Sequence, residues 1–142
     1  MSDIKEDLDF GLASEDVFIG DLKTKHENSE VNKFSYKWSS FDYKVKYGGM
    51  IIKEYELKTR RVNHGLYPTL IFGKTKWDYA LKQIKKGIEM EVVWKLNDCI
   101  VSWVLDPEKT DQYYIGVGQN VKRGEKAKPC IHVKCEYMKK WD

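Results

Sequence analysis

From Phe41 to Tyr47 apolar and polar residues alternate without a break. Phe41, Tyr43, Val45 and Tyr47 share one face of an extended strand, and Asp42, Lys44 and Lys46 share the other. Gly48-Gly49 follows and reads as a tight hairpin turn. The return strand, "MIIKEYELKTR", turns Tyr55, Leu57 and Thr59 one way and Glu54, Glu56, Lys58 and Arg60 the other. Two stretches carry helical spacing instead. In "FGLASEDVFIGDLKTK", Leu12, Glu15, Ile19 and Leu22 fall on one stripe with Phe18 beside them. Glu15 then lies on an apolar face, where an unpaired carboxylate is costly. In "TKWDYALKQIKKG", Trp77, Ala80, Leu81 and Ile84 form the inward stripe, with Thr75 as N-cap, Asp78 three residues on and Gly87 as the stop.

Between these segments lie a polar loop, "KHENSEVN", and an alternating strand, "KFSYKW". A short apolar strand, Thr69 to Phe72, precedes the second helix. "IEMEVVWKL", "CIVSWVL", "DQYYIGVG" and "CIHVKCEYM" read as strands after it. The order is helix, three strands, short strand, helix, then several strands. It predicts a mixed α/β or α+β fold in one domain spanning residues 1–142, with a central sheet and a helix on each side.

Composition narrows the picture only a little. Apolar residues make up 42% of the 142, enough for a core, and the five Trp and nine Tyr are mostly expected within it. A net charge of +3 neither demands nor excludes a polyanionic partner. There is no run of about 18 apolar residues, so no membrane span is expected. "MSDIKEDLDF" lacks the order of a signal peptide, which makes a cytoplasmic location the default expectation. The three cysteines read as reduced thiols. Cys130 and His132 share a strand face while Cys135 points away, a poor zinc set beside the simpler reading of small buried side chains. "GVGQN" lacks the lysine and the following helix of a phosphate loop.

The candidate chemistry sits on the hairpin. An acid two residues ahead of a lysine carries no information alone; the chain has Asp3/Lys5, Asp21/Lys23, Asp42/Lys44 and Glu56/Lys58. Glu56-Leu57-Lys58 differs because a spacing of two on a strand puts both side chains on one face. The facing arm brings Asp42 alongside, and the first helix presents Glu15. Three acids and a lysine from three elements then converge. Like charges so gathered need a cation, and oxygen ligands on a rigid sheet suit Mg²⁺ or Mn²⁺.

This arrangement resembles the PD-(D/E)XK nuclease superfamily over about residues 9 to 95: a helix acid, a hairpin Asp, Glu-x-Lys, then "YPTLIFGKTKWDYALK" as strand and lysine-rich helix. The resemblance implies a restriction-endonuclease-like α-β-β-β-α-β core with extra C-terminal strands and metal-dependent hydrolysis of phosphodiester bonds in DNA, with RNA as the alternative. It also implies structure-selective cutting, as at junctions, flaps or ends. By position, Asp42, Glu56 and the Leu57 carbonyl would hold the metal, Lys58 would be the catalytic lysine and Glu15 the helix acid. Phe41 stands where the motif's name has Pro. Arg60, Arg61 and His64, just past the lysine, would grip phosphates, and Lys74 and Lys76 would track the nucleic-acid backbone, as would Lys122, Arg123, Lys126 and Lys128 from another side. Two cuts or a junction would call for a homodimer.

Plainer readings stand beside these. The hairpin charges also suit a solvated antiparallel face with cross-strand ion pairs, and a lysine-rich helix or a charged turn is commonly just solvated. At this level a non-catalytic nucleic-acid or protein-binding domain on the same fold stays open, as does a general interaction module.

Overall fold

The hairpin anchors the architecture. In the computed structural model, which describes residues 15–33, 40–118 and 128–141, helix α1 (residues 15–25) leads into β1 (Glu30–Lys33), β2 (Tyr43–Tyr47) and β3 (Met50–Thr59). Then come β4 (Thr69–Gly73), α2 (Lys74–Lys85), β5 (Glu89–Lys95), β6 (Ile100–Val104), β7 (Tyr113–Val117), β8 (Pro129–Lys134) and β9 (Lys139–Lys140). Gly48 and Gly49 both take positive φ, 58° and 81°, which lets a two-residue turn join β2 to β3.

A six-stranded mixed sheet runs in the order β1-β2-β3-β5-β6-β9. β1/β2 and β2/β3 are antiparallel, β3 and β5 are parallel with α2 as their crossover, and β5/β6 and β6/β9 are antiparallel. Apart from β4, which comes between β3 and α2 and belongs to the second sheet, the α-β-β-β-α-β succession implied by the resemblance is present, with additional strands after it. β4, β8 and β7 form a separate three-stranded antiparallel sheet. Among the described residues no helix is long and apolar enough to cross a membrane.

The large sheet is covered on both faces. On one, Phe18 and Leu22 of α1 pack on Val31, Tyr43, Val45, Tyr55 and Val93. On the other, Trp77 and Ala80 of α2 join Phe72, Met90, Val92, Trp94 and Ile131. β5 is buried from Met90 through Trp94, as befits an interior strand paired on both edges.

Several expectations need correction. The first sheet strand is Glu30–Lys33, which starts inside the stretch read as a polar loop; residues 34–38 of "KFSYKW" lie outside the described residues, as do residues 1–14, with Leu12 of the first helical stripe, and the Lys122, Arg123 and Lys126 turn. α2 starts at Lys74 after Gly73 as N-cap, without a side-chain cap bond, so Thr75 is not the cap. Gly87 does end it: at φ 86° its N–H donates to the Ile84 carbonyl at 2.9 Å. Phe41 does not share a face with Tyr43. It packs on the α2 side, whereas Tyr43 faces α1, because regular β2 begins only at Tyr43.

Phe72 is almost wholly buried against Trp77 and Trp94, with ring centroids at 6.2 and 6.3 Å. Truncation to Ala should cost about 3–5 kcal/mol in urea unfolding. The control Ile52→Ala, at a position 42% exposed, should stay within about 0.5 kcal/mol of wild type. Equal losses at both positions would contradict this placement of the core.

Candidate metal centre at the open end of the hairpin

The ladder between β2 and β3 ends at Tyr43↔Tyr55, while β3 stays paired with β5 through Thr59. Beyond Tyr55 the β2-side edge of β3 therefore meets a side chain in place of a strand. The Leu57 N–H donates to Asp42 Oδ2 at 3.3 Å. In a strand, one residue's N–H and C=O leave by the same edge, and successive residues alternate edges. The Arg60 N–H donates to the Lys95 carbonyl on β5, so the even-numbered residues turn that way. Leu57 turns its carbonyl toward Asp42's side by the same rule.

Glu56 projects to the α2 face and is 3% exposed. Lys58 Nζ lies 3.2 Å from its Oε2, and Lys76 Nζ of α2 lies 3.2 Å from its Oε1. Lys76 also donates to the Ser40 carbonyl. The Lys76 approach to Oε1 is electrostatic and not a directed hydrogen bond, since Oε1 is buried with no hydrogen-bond donor among the described residues. Asp42 feels the Glu56 carboxylate directly. Burial and the Glu56 charge push Asp42 up to about 7, against the opposing pull of Lys76 and the Leu57 N–H.

These residues fit a hard divalent ion by their chemistry. Two adjacent carboxylates, one with an oxygen that has no donor among the described residues, and a carbonyl on the same edge form an all-oxygen set. Among the described residues no group of three or more His, Cys, Asp or Glu gathers as a metal cage.

Glu15 is not the buried third acid that its helical stripe suggests. Its side chain is 37% exposed and pairs with Lys33 on β1 at 2.6 Å. Its charge still reaches Tyr43: burial, then Glu15, Asp42, Asp16 and Glu56, raise that phenol far above its ordinary range. The Tyr43 hydroxyl is buried and has no hydrogen-bond partner among the described residues.

The residues expected to grip nucleic acid scatter. Arg60 is exposed, with its guanidinium folded onto the Thr59 carbonyl at 2.8 Å; Arg61 is exposed as well. The His64 N–H donates to Asp98 Oδ1 at 2.9 Å, which ties the loop after β3 to the β5–β6 turn. Lys74 is held by both carboxylate oxygens of Asp78, at 2.9 and 3.0 Å. Lys76 turns inward onto Glu56, with its side chain 12% exposed.

A neighbouring cluster escaped the sequence reading. Glu54 is fully buried and accepts from Tyr79 Oη at 2.7 Å and Gln83 Nε2 at 2.5 Å, with Lys44 Nζ at 3.7 Å. Burial and Glu54 raise the Tyr79 phenol, which therefore stays protonated and donates. A signal existed: Lys76, Ala80 and Gln83 follow +4 and +3 spacing, which puts two polar residues on the inward side of α2.

A scan against protein-family models and a search of curated proteins both find no match. Among solved structures, Hjc, a Holliday junction resolvase from the archaeal hyperthermophile Archaeoglobus fulgidus, aligns with a TM-score of 0.45 and 11% identity over 81% of this chain and 94% of that chain. The similarity is a coarse one.

Two outcomes follow from the geometry. The folded state holds the Asp42 proton more tightly than the unfolded chain does. Its contribution to metal-free stability is thus full at low pH and is lost as pH rises from the ordinary 3.8 towards about 7. Urea titrations in chelator at pH 4 and pH 8 should show that fall in wild type and a smaller one in Asp42→Asn; the same fall in both would exclude Asp42 as its source. Separately, Tyr79→Phe removes a donor from buried Glu54 and should cost about 1–3 kcal/mol. A neutral result would mean that Gln83 and Lys44 suffice.

Proposed function

We propose that this chain is a divalent-metal-dependent nuclease that hydrolyses phosphodiester bonds in DNA. The observation that carries the reading is the Asp42–Glu56 carboxylate pair at the end of the β2–β3 ladder, with a buried Glu56 oxygen that lacks a donor among the described residues and Lys58 on the other oxygen. Asp42, Glu56 and the Leu57 carbonyl would hold Mg²⁺ or Mn²⁺. When bound, such an ion supplies Lewis acidity toward a phosphate oxygen and makes water a usable nucleophile near neutral pH.

The chain's own groups take the remaining roles. Glu56 orients Lys58 through the 3.2 Å contact, which holds the ammonium beside the carboxylates. From there Lys58 positions the attacking water, or offsets the charge that builds on the phosphorus oxygens as the bond breaks. The Leu57 N–H bond fixes Asp42 against β3, so that carboxylate is set before substrate arrives. Arg60, Arg61 and His64 leave β3 directly after Lys58 and are the nearest in sequence for contacts to flanking phosphates. Structure-selective cutting of branched or flapped DNA, by two copies of the chain where two cuts are needed, is part of the same reading.

A second reading has its own observation. Glu15 is engaged by Lys33, and Glu56 already lies between two lysines, an arrangement that also serves a non-catalytic DNA-binding or protein-binding domain.

Incubation of linear, flapped and four-way DNA with Mg²⁺ or Mn²⁺ separates the two. The nuclease reading expects cleavage that falls at least about 100-fold in both Glu56→Ala and Lys58→Ala. Cleavage retained by both variants would put the site elsewhere. DNA binding without cleavage, together with no calorimetric uptake of either ion, would favour the binding domain.

A further inference from the structure

Glu56 meets two ammonium groups, and they reach it differently. Lys58 comes from the same strand, two residues on, by the ordinary geometry of one sheet face. Lys76 comes from the first turn of α2, across the layer, and holds two things at once: the Ser40 carbonyl and a station 3.2 Å from Glu56 Oε1. Its side chain is 12% exposed, and the buried oxygen that it faces has no directed donor among the described residues.

Above the range in which Asp42 loses its proton, the charges close without an ion: Asp42 and Glu56 bring two negative charges, and Lys58 and Lys76 bring two positive ones. A divalent cation at Asp42 and Glu56 would leave that group strongly positive, and the Lys76 ammonium would stand in the place where the ion takes its ligand. Both need the same buried oxygen, and like charges within a few ångströms of each other repel. The Ser40 carbonyl gives Lys76 a second acceptor on the segment that leads into Asp42, so the ammonium can give up Glu56 and remain beside the site.

We propose that Lys76 is a built-in counter-ion of this site: it neutralises Glu56 in the metal-free protein and competes with the divalent ion for Oε1. The assignment rests on the metal-site reading above and extends it to regulation of that site. Lys76 keeps the metal-free chain folded around a buried carboxylate, and it weakens metal uptake in return. It is a positioning residue. It acts through Glu56, and its effect is read in metal affinity and metal-free stability before any chemistry.

Titration calorimetry of Mg²⁺ and of Mn²⁺ into chelator-stripped protein tests this. Lys76→Met should bind either ion about tenfold more tightly than wild type. It should also melt at a lower temperature in chelator, with the deficit closing as Mn²⁺ is added. Lys76→Gln, polar and less disruptive, should show the same tightening. Lys76→Arg should restore near-wild-type affinity and metal-free melting. Lys74→Met, which removes the same charge from a surface pair two residues away, should shift affinity by less than about twofold. Affinity unchanged or weakened in both Lys76→Met and Lys76→Gln would overturn the counter-ion role while leaving the metal site standing. Absence of uptake in wild type and every variant would overturn the metal site, and this inference with it.

Discussion

Negative charge taken out of water beneath α2 is the constraint around which this molecule is arranged. Glu54 and Glu56 stand two residues apart on β3, one fully buried and the other 3% exposed. A carboxylate in that setting is tolerated only where donors or cations come to it. The two are answered in different ways. Glu54 receives directed hydrogen bonds from a phenol and an amide and has a lysine behind them, so its environment is closed. Glu56 receives two ammonium groups, and one of its oxygens has no directed donor among the described residues. Identical side chains on one strand thus become a structural anchor and a group still able to take a ligand.

The sheet makes that difference possible. β3 is held along its β5 edge through Thr59, while β2 leaves its other edge at Tyr55. The first edge supplies rigidity. The second leaves backbone groups of Leu57 turned toward a side chain, and Asp42 takes up the N–H that a strand partner would otherwise have met. Asp42 reaches this place because the chain before Tyr43 is irregular, which also sends Phe41 into the core on the α2 side. A rigid strand with one open edge can hold ligands to a narrow geometry before a substrate arrives.

α2 joins the two halves of the molecule. Trp77 and Ala80 fasten it to the core shared by both sheets, and between those apolar contacts Lys76, Tyr79 and Gln83 reach down to the glutamates. α1 does the equivalent work on the opposite face with Phe18 and Leu22, and its Glu15 binds Lys33 of β1 instead of turning toward Asp42. Glu15 and Glu56 therefore belong to separate ion pairs, and the charges of both reach the buried Tyr43 phenol.

Local rules were enough for much of this. Period-two alternation and a Gly-Gly turn specify the hairpin, and 3.6-residue spacing specifies both helices. A spacing of two places Glu56 and Lys58 on one face wherever the strand lies. Those features depend on neighbours in sequence, and the sequence carries them. The rest depends on what packs against what. Whether Glu15 turns inward is decided by Lys33, eighteen positions away; whether Lys76 faces solvent or Glu56 is decided by how α2 settles on the sheet; and whether Asp42 reaches Leu57 is decided by where a ladder stops. Burial of charge is a property of the assembled layers, because the field at a carboxylate is set by groups that only folding brings within a few ångströms of it.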